Sequence, residues 1–267
     1  IVETLEDFGS IGEVPSHPEL LDYLANQLMH DYDWSMKSLL REIVLSATYR
    51  QSSAATPELV ERDPKNRLLA RGPRNRMTGE MIRDQVLALA GLLNDEMYGP
   101  PIRPPLPEGG WTPAHSVAGK WVADKDDRIY RRSIYIHWQR SSPYPLFTAF
   151  DAPMRDLCTD RRITSNTPVQ PLYTLNDPAL FEATQVFSKH MQSHSDELAA
   201  NIAHGYQLAT ARTISEVALS ELVGLHADVL ELYPEEETEA SAGYTAELAA
   251  YDAVASVLLN LDEVLNK

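Results

Sequence analysis

Residues 176–192, NDPALFEATQVFSKHMQ, set the fold class. Asp177 before Pro178 is a helix start. The carboxylate is placed to accept the first free backbone N–H groups, and a proline at the first helical position has no N–H to lose. The run LFEATQVFSKHMQ reads as the helix itself. Outward from it, towards the C-terminus, the same pattern repeats. Asp196 to Leu208 reads as another helix. Thr213, with Glu216 three residues on, reads as a capping box for a helix carrying Val217, Leu219, Leu222, Leu225, Val229 and Leu232. Residues 234–245, PEEETEASAGYT, read as a solvated acidic loop. A last amphipathic helix carries Leu248, Tyr251, Val254, Ala255, Leu258, Leu259 and Leu265.

Upstream the chain is less regular. Ser16 and Glu19 form a second capping box, opening a helix with Leu20, Leu21, Leu24 and Leu28. A helix from about Asp33 carries Met36, Leu39, Leu40, Ile43, Val44 and Ala47. The segment RDPKNRLLARGPRNRMT, residues 62–78, is too rich in Arg, Gly and Pro for a long helix. Thr78 then caps a helix with Glu80 in its first turn and a stripe of Met81, Ile82, Val86, Leu89 and Leu93, stopping near Asn94. Residues 98–127, which open YGPPIRPPLPEGGW, form a proline-rich connector anchored by Trp111 and Trp121. Residues 129–138, IYRRSIYIHW, alternate around Ile134 and Ile136 and are the best strand candidate. The expected fold is mainly α, an irregular helical domain with a proline-rich centre and at most a small β element.

Composition bounds the function. A chain of 267 residues, 43% hydrophobic and with mean hydropathy -0.31, has enough apolar surface for a core. It has no run of about 18 apolar residues, so no membrane span is expected. The single cysteine excludes an internal disulfide and a Cys-rich metal site. No CxxCH is present to attach a haem, so no cofactor and no metal are expected in this segment. The opening IVETLEDFG, without Met or leader, is expected to be internal to a longer polypeptide.

The net charge of -16 is unevenly spread. Residues 1–40 hold eight acidic and one basic side chain, residues 41–162 hold fifteen and nineteen, and residues 163–267 hold sixteen and three. An acidic whole argues against nucleic acid as a partner. The basic centre is mostly Arg, the residue suited to planar contacts with carboxylate, sulfate or phosphate.

The densest polar stretch is AFDAPMRDLCTDRRITSNTPVQPLYTLNDP, residues 149–178. One reading gathers Arg71, Arg74, Arg76, Arg131, Arg155, Arg161 and Arg162 with Asp151 and Asn166 into a site for an anionic group, such as that of a polysaccharide. The alternative pairs these arginines internally with Asp63, Glu80, Asp84, Asp151, Asp156 and Asp160. For catalysis the candidates are Asp151, Asp156 and Cys158; a free Cys is more often a small buried hydrophobe. His190 and His194 stand four apart, a spacing that also fits a metal. They lack the HExxH pattern and read better as a solvated helix face.

Several long segments carry a family resemblance: DFGSIGEVPSHPELLDYLA, LSATYRQSS, RDPKNRLLARGPRNRMTGEMIRDQ, YRRSIYIHWQR, residues 150–178 and AVASVLLNLDEV. In this order they closely resemble the domain of unknown function 1553, the planctomycete-specific domain, over residues 1–267 as one family domain. The resemblance implies an exported protein, periplasmic or at the cell surface. It implies as partners a companion N-terminal domain and a cytochrome c domain of the same polypeptide, the latter carrying its own c-type haem. It supplies no catalytic residues. Two departures stand out: Pro171 in place of an expected Ala, and the stretch ATARTISEVALSEL, which lacks the Gly-Arg-x-Pro-Thr segment expected before its helix. The functional expectation is a ligand- or partner-binding module, with anionic polysaccharide or the companion domain as occupant. The alternatives are a carbohydrate-active enzyme passing electrons to the attached cytochrome, and a scaffold for the companion domain.

Overall fold

The computed structural model describes residues 1–5, 7, 9–107, 121–140, 142–233 and 244–266. The chain divides into two compact units, Ile1–Asn75 and Arg76–Lys267. It is mainly α, and its only β pairings among the described residues are isolated bridges. No helix among the described residues is long and apolar enough to cross a membrane.

The first unit holds α1 (Pro18–Asn26), α2 (Met36–Leu45) and α3 (Pro57–Arg62). Helix α1 runs on into a wider π turn over Gln27–Asp31. Its cap is His17, one residue after the Ser16 that the sequence suggested, and Ser16 Oγ instead meets Ile1 O and His17 Nδ1. The hydroxyls of Tyr23 and Tyr32 both donate to the Glu42 carboxylate, at 2.6 and 2.9 Å, and so tie α1 and its π turn to α2. Helix α3, unforeseen from sequence, starts at Pro57 behind a Thr56 cap. The arginine-rich segment after it is a loop closed by its own side chains. The Asp63 carboxylate accepts N–H groups from Arg67 and Leu68, and Asn66 bonds both N–H and C=O of Arg71.

The second unit holds α4 (Gly79–Leu89), α5 (Pro145–Ala149), α6 (Val169–Asn176), α7 (Pro178–Gln192), α8 (Leu198–Thr210), α9 (Glu216–Leu232), α10 (Ala246–Leu259) and α11 (Asp262–Leu265). Helix α10 packs against α7, α8 and α9, while α4 packs against α5 and α7. The core lies between them, built on Ile82, Leu87, Phe147, Phe187, Val254 and Leu258. Asp177 caps α7 as expected, accepting from the N–H groups of Ala179 and Leu180. Tyr144 also donates to it, and burial pushes the Asp177 carboxyl above its ordinary range. A side chain at Gly205 would start 2.7 Å from Met191 Sδ, so glycine lets α8 approach α7.

The structure corrects several expectations. Helix α4 ends at Leu89, because Gly91 turns the chain at φ 70°. On its buried face stands Arg83, 0% exposed, while Met81 points outward. The strand expected over 129–138 is absent: the segment is two 3-10 turns, Asp127–Tyr130 and Ser133–Tyr135. The final stripe is two helices, α10 and α11. Ser215, not Thr213, caps α9. Helix α6 was unforeseen. Trp111 and residues 234–243 of the acidic loop lie outside the described residues; Trp121 does anchor its segment, donating to Pro104 O at 2.9 Å.

Two buried arginines explain why 129–138 needs no sheet. Arg83 donates to the carbonyls of Ile129 and Arg131, the latter at 2.9 Å. Arg131, 1% exposed, donates to the carbonyls of Glu96, Tyr98 and Pro100 and lies 4.0 Å over the Tyr135 ring. Asp84 accepts the Ser133 N–H at 2.7 Å. Guanidinium donors thus meet backbone acceptors that a ladder would otherwise satisfy.

Helix α8 ends at Ala211, in the left-handed region at φ 57°. That is where a glycine directly before Arg212 would stand. A Cβ in this conformation costs about 1 kcal/mol, and glycine avoids it. Ala211→Gly is therefore expected to stabilise the chain by about 1 kcal/mol, read as a higher urea midpoint with unchanged slope.

Candidate functional site

The polar stretch 149–178 lies in the second unit, and its first half is a loop between α5 and α6. Asp151 and Ser165 close the base of that loop. Ser165 donates its N–H to Asp151 Oδ2 at 2.6 Å and its hydroxyl to Oδ1 at 2.8 Å. Gln170, fully buried on α6, bridges the same base: its Nε2 donates to Ala149 O and Ser165 O, both at 3.1 Å.

Side chains also pin the loop from its flanks. Arg162 makes a bidentate pair with Glu80 in the first turn of α4, at 2.6 and 2.8 Å. Arg140 holds the Asp156 carboxylate at 2.8 Å. The Arg155 guanidinium lies 4.4 Å over the Trp138 ring, which in turn stacks on Phe147 of the core. Two residues of the loop, Asp151 at φ 57° and Arg155 at φ 59°, occupy the left-handed region. Such strain persists only where surrounding contacts hold it in place.

This fixed loop turns apolar side chains outward. Leu157 is 84% and Ile163 82% exposed, with Met154 exposed beside them. Cys158, expected to be buried, is exposed on the same loop, as are Arg155, Arg161 and Asn166. A cavity of about 310 Å³ opens at the loop base, with Asp151 and Ser165 among its walls.

The arginines expected to converge are divided between the two units and among several partners. Arg71 and Arg74 belong to the first unit; Arg71 donates to Pro64 O. Arg131 is consumed inside the second unit, so its guanidinium serves the backbone and not a ligand. Arg162 is half-buried and committed to Glu80. Arg76 lies over the Phe150 ring, where burial lowers its pKa while the nearby Asp151 carboxylate raises it. That leaves Arg155 and Arg161 exposed with Asn166. The catalytic candidates are likewise engaged apart, Asp151 with Ser165 and Asp156 with Arg140. His190 lies on α7, but His194 lies beyond its end at Gln192, so the two do not form one helical face; the His194 ring stacks on His204, centroids 3.8 Å apart and nearly parallel. Parallel stacked rings direct their lone pairs side by side, which does not suit chelation of one ion.

Sequence reasoning missed Ser165 and Trp138, which fix the loop. The exposed Met154, Leu157 and Ile163 carried the available signal: three large apolar residues in a segment rich in charge.

A model of the family described as PSD1, protein of unknown function (DUF1553), matches residues 1–226, and the chain belongs to that family. No curated protein and no solved structure matches it.

The Arg162–Glu80 pair gives the loop a pH dependence. Burial alone raises the Glu80 carboxyl, but the Arg162 hydrogen bonds and the first-turn backbone outweigh it, and its pKa falls below 4.5. A lowered folded pKa contributes stability above the unfolded value and loses it as pH falls through the folded one. Acid titration of stability is expected to show this loss below pH 4.5, and Glu80→Gln to remove that part of the slope.

Proposed function

We propose that this member of the family is a docking module within a larger protein assembly, and that the loop from Asp151 to Ser165 is its recognition element. The observation that carries this reading is the pairing of a pinned backbone with an exposed apolar tip. Holding Leu157 and Ile163 in water has no benefit for folding. Holding them in one conformation reduces the ordering cost when a partner covers them. The exposed Arg155 and Arg161 beside them suit the rim of such an interface, where Arg is enriched.

The first unit supports the same reading independently. Its described residues include no buried apolar side chain, while Leu20, Leu21, Met36, Leu40 and Val44 on α1 and α2 are exposed. A helix pair with an uncovered apolar face is suited to completing its burial on another surface. The companion domain implied by the family resemblance is the occupant we propose. An exported setting, and a cytochrome domain in the same polypeptide, belong to this proposal on the resemblance alone.

Two other readings have less support. An anionic polysaccharide would have to bind mainly through Arg155 and Arg161, since Arg131 and Arg162 are occupied. An enzyme would need Asp151, Asp156 or Cys158 to carry the chemistry, and the two carboxylates are already engaged, Asp151 with Ser165 and Asp156 with Arg140.

The test is photo-crosslinking from a reactive side chain placed at Leu157 in the full-length polypeptide, with the exposed position Glu231 on α9 as control. Discrete protein adducts, within or between polypeptides, are expected from position 157 and not from 231. Absence of adducts at 157 contradicts the reading.

A further inference from the structure

The cavity at the loop base has a chemistry of its own. Its volume, about 310 Å³, lies at the lower end of small-molecule sites, which span roughly 300–1,000 Å³. It has room for one ring-sized ligand. Its polar walls are Asp151 and the hydroxyl side chains of Thr148, Ser165 and Thr167; its apolar walls include Pro145 and the ring-bearing Tyr173.

Each class of ligand is weighed by what those walls offer. No Lys or Arg lines the cavity, and an anion entering it meets the Asp151 carboxylate. A cation would meet a carboxylate whose field already reaches the Arg76 guanidinium. A wholly apolar ligand would cover a carboxylate and three hydroxyls without replacing their water. What remains is a neutral ligand with a C–H face for Pro145 and Tyr173, and hydroxyl groups along its edge for Asp151 and the threonines.

The carboxylate is also prepared for such a ligand. It offers about four lone-pair sites, and Ser165 takes both oxygens from one side. That grip orients the carboxylate and leaves it acceptor capacity. The walls are held at fixed spacing, since Gln170 ties Ala149 to Ser165 and its own Oε1 is buried without a partner. Asp151 is kept in the left-handed region, a strained conformation at a residue that faces the cavity.

We propose that this cavity is a binding site for one neutral, polyhydroxylated ring, a pyranose unit being the simplest example. Asp151, Thr148 and Thr167 take its hydroxyls, and Tyr173 and Pro145 take its C–H face. The site is separate from the docking tip and does not depend on that reading.

The experiment is saturation-transfer NMR and titration on the whole chain. The probes are methyl glucoside, methyl galactoside and methyl mannoside, with methyl glucuronide, butylammonium and cyclohexanol as charged and apolar comparisons. At least one neutral glycoside is expected to bind saturably below about 50 mM, more tightly than the glucuronide, the ammonium ion or cyclohexanol. Thr167→Val and Tyr173→Leu are each expected to weaken it about five-fold or more. Asp151→Asn, a residue type that tolerates positive φ, does the same if the variant keeps its melting midpoint. The two wall variants carry the test if it does not. No saturable binding by any neutral glycoside overturns the proposal. So does binding that Thr167→Val and Tyr173→Leu leave unchanged, or a preference for the glucuronide, the ammonium ion or cyclohexanol.

Discussion

The second unit depends on two cations placed where a protein of this size usually places hydrocarbon. Arg83 and Arg131 are buried, yet neither is neutralised mainly by a carboxylate; Asp84 comes only to 4.0 Å of Arg83. Their hydrogen-bond partners are mainly backbone carbonyls, joined on Arg83 by the Ser133 hydroxyl. Taking a guanidinium out of water costs several kcal/mol, and the carbonyls repay part of this through charge-assisted hydrogen bonds. The arrangement solves a problem that the proline-rich middle creates. Segment 94–102 ends on two prolines before Ile102 and segment 129–137 is broken into two 3-10 turns, so neither forms a ladder, yet their backbones are partly buried. Arg83 and Arg131 supply the missing donors, and two isolated bridges, Asn94 with Arg131 and Ile102 with Ile136, complete the seam.

That seam positions α5 and, through it, the loop. Ile102 and Ile136 enter the core beside Leu146 and Phe147 of α5, and α5 leads into the loop. The loop is then secured by a different set of contacts at its base and flanks. At its base Asp151 and Ser165 face each other and Arg162 meets Glu80, while Met154, Leu157 and Ile163 face water together with the exposed Arg155 and Arg161. Large apolar side chains held exposed on a pinned backbone are the physical reason for treating the loop as a recognition element and not as a connector.

Much of the helical fold was legible in the sequence, because local chemistry decides it. Thr78 and Asp177 cap their helices as their positions indicate, and the segments after Asn176 are helical. Misreadings arose where long-range contacts overrode local pattern. The alternation around Ile134 and Ile136 mimics a strand, yet Ile134 is exposed, the pairing with Ile102 is a single bridge, and the carbonyls of Ile129 and Arg131 go to the Arg83 guanidinium. The stripe on α4 placed Met81 inward and ignored Arg83, because hydrophobic periodicity does not anticipate a buried cation. Two of the cap positions, at His17 and Ser215, differ by one or two residues from the capping-box pattern. The site was only half legible. The polar segment could be located, but the Asp151–Ser165 clasp joins residues fourteen apart in a loop with no periodicity. The Arg residues look alike in sequence, and only packing separates Arg131, consumed internally, from the exposed Arg155 and Arg161.

Whether the loop is held in one conformation while its apolar tip is exposed can be read by amide hydrogen exchange across residues 149–170 of the free chain. Protection is expected at Ala152 and Ser165, whose N–H groups donate to Phe147 O and to the Asp151 carboxylate, at a level approaching that of α7. Uniformly fast exchange from Asp151 to Ser165 would contradict it, because a loop without a fixed conformation offers its partner no preformed surface.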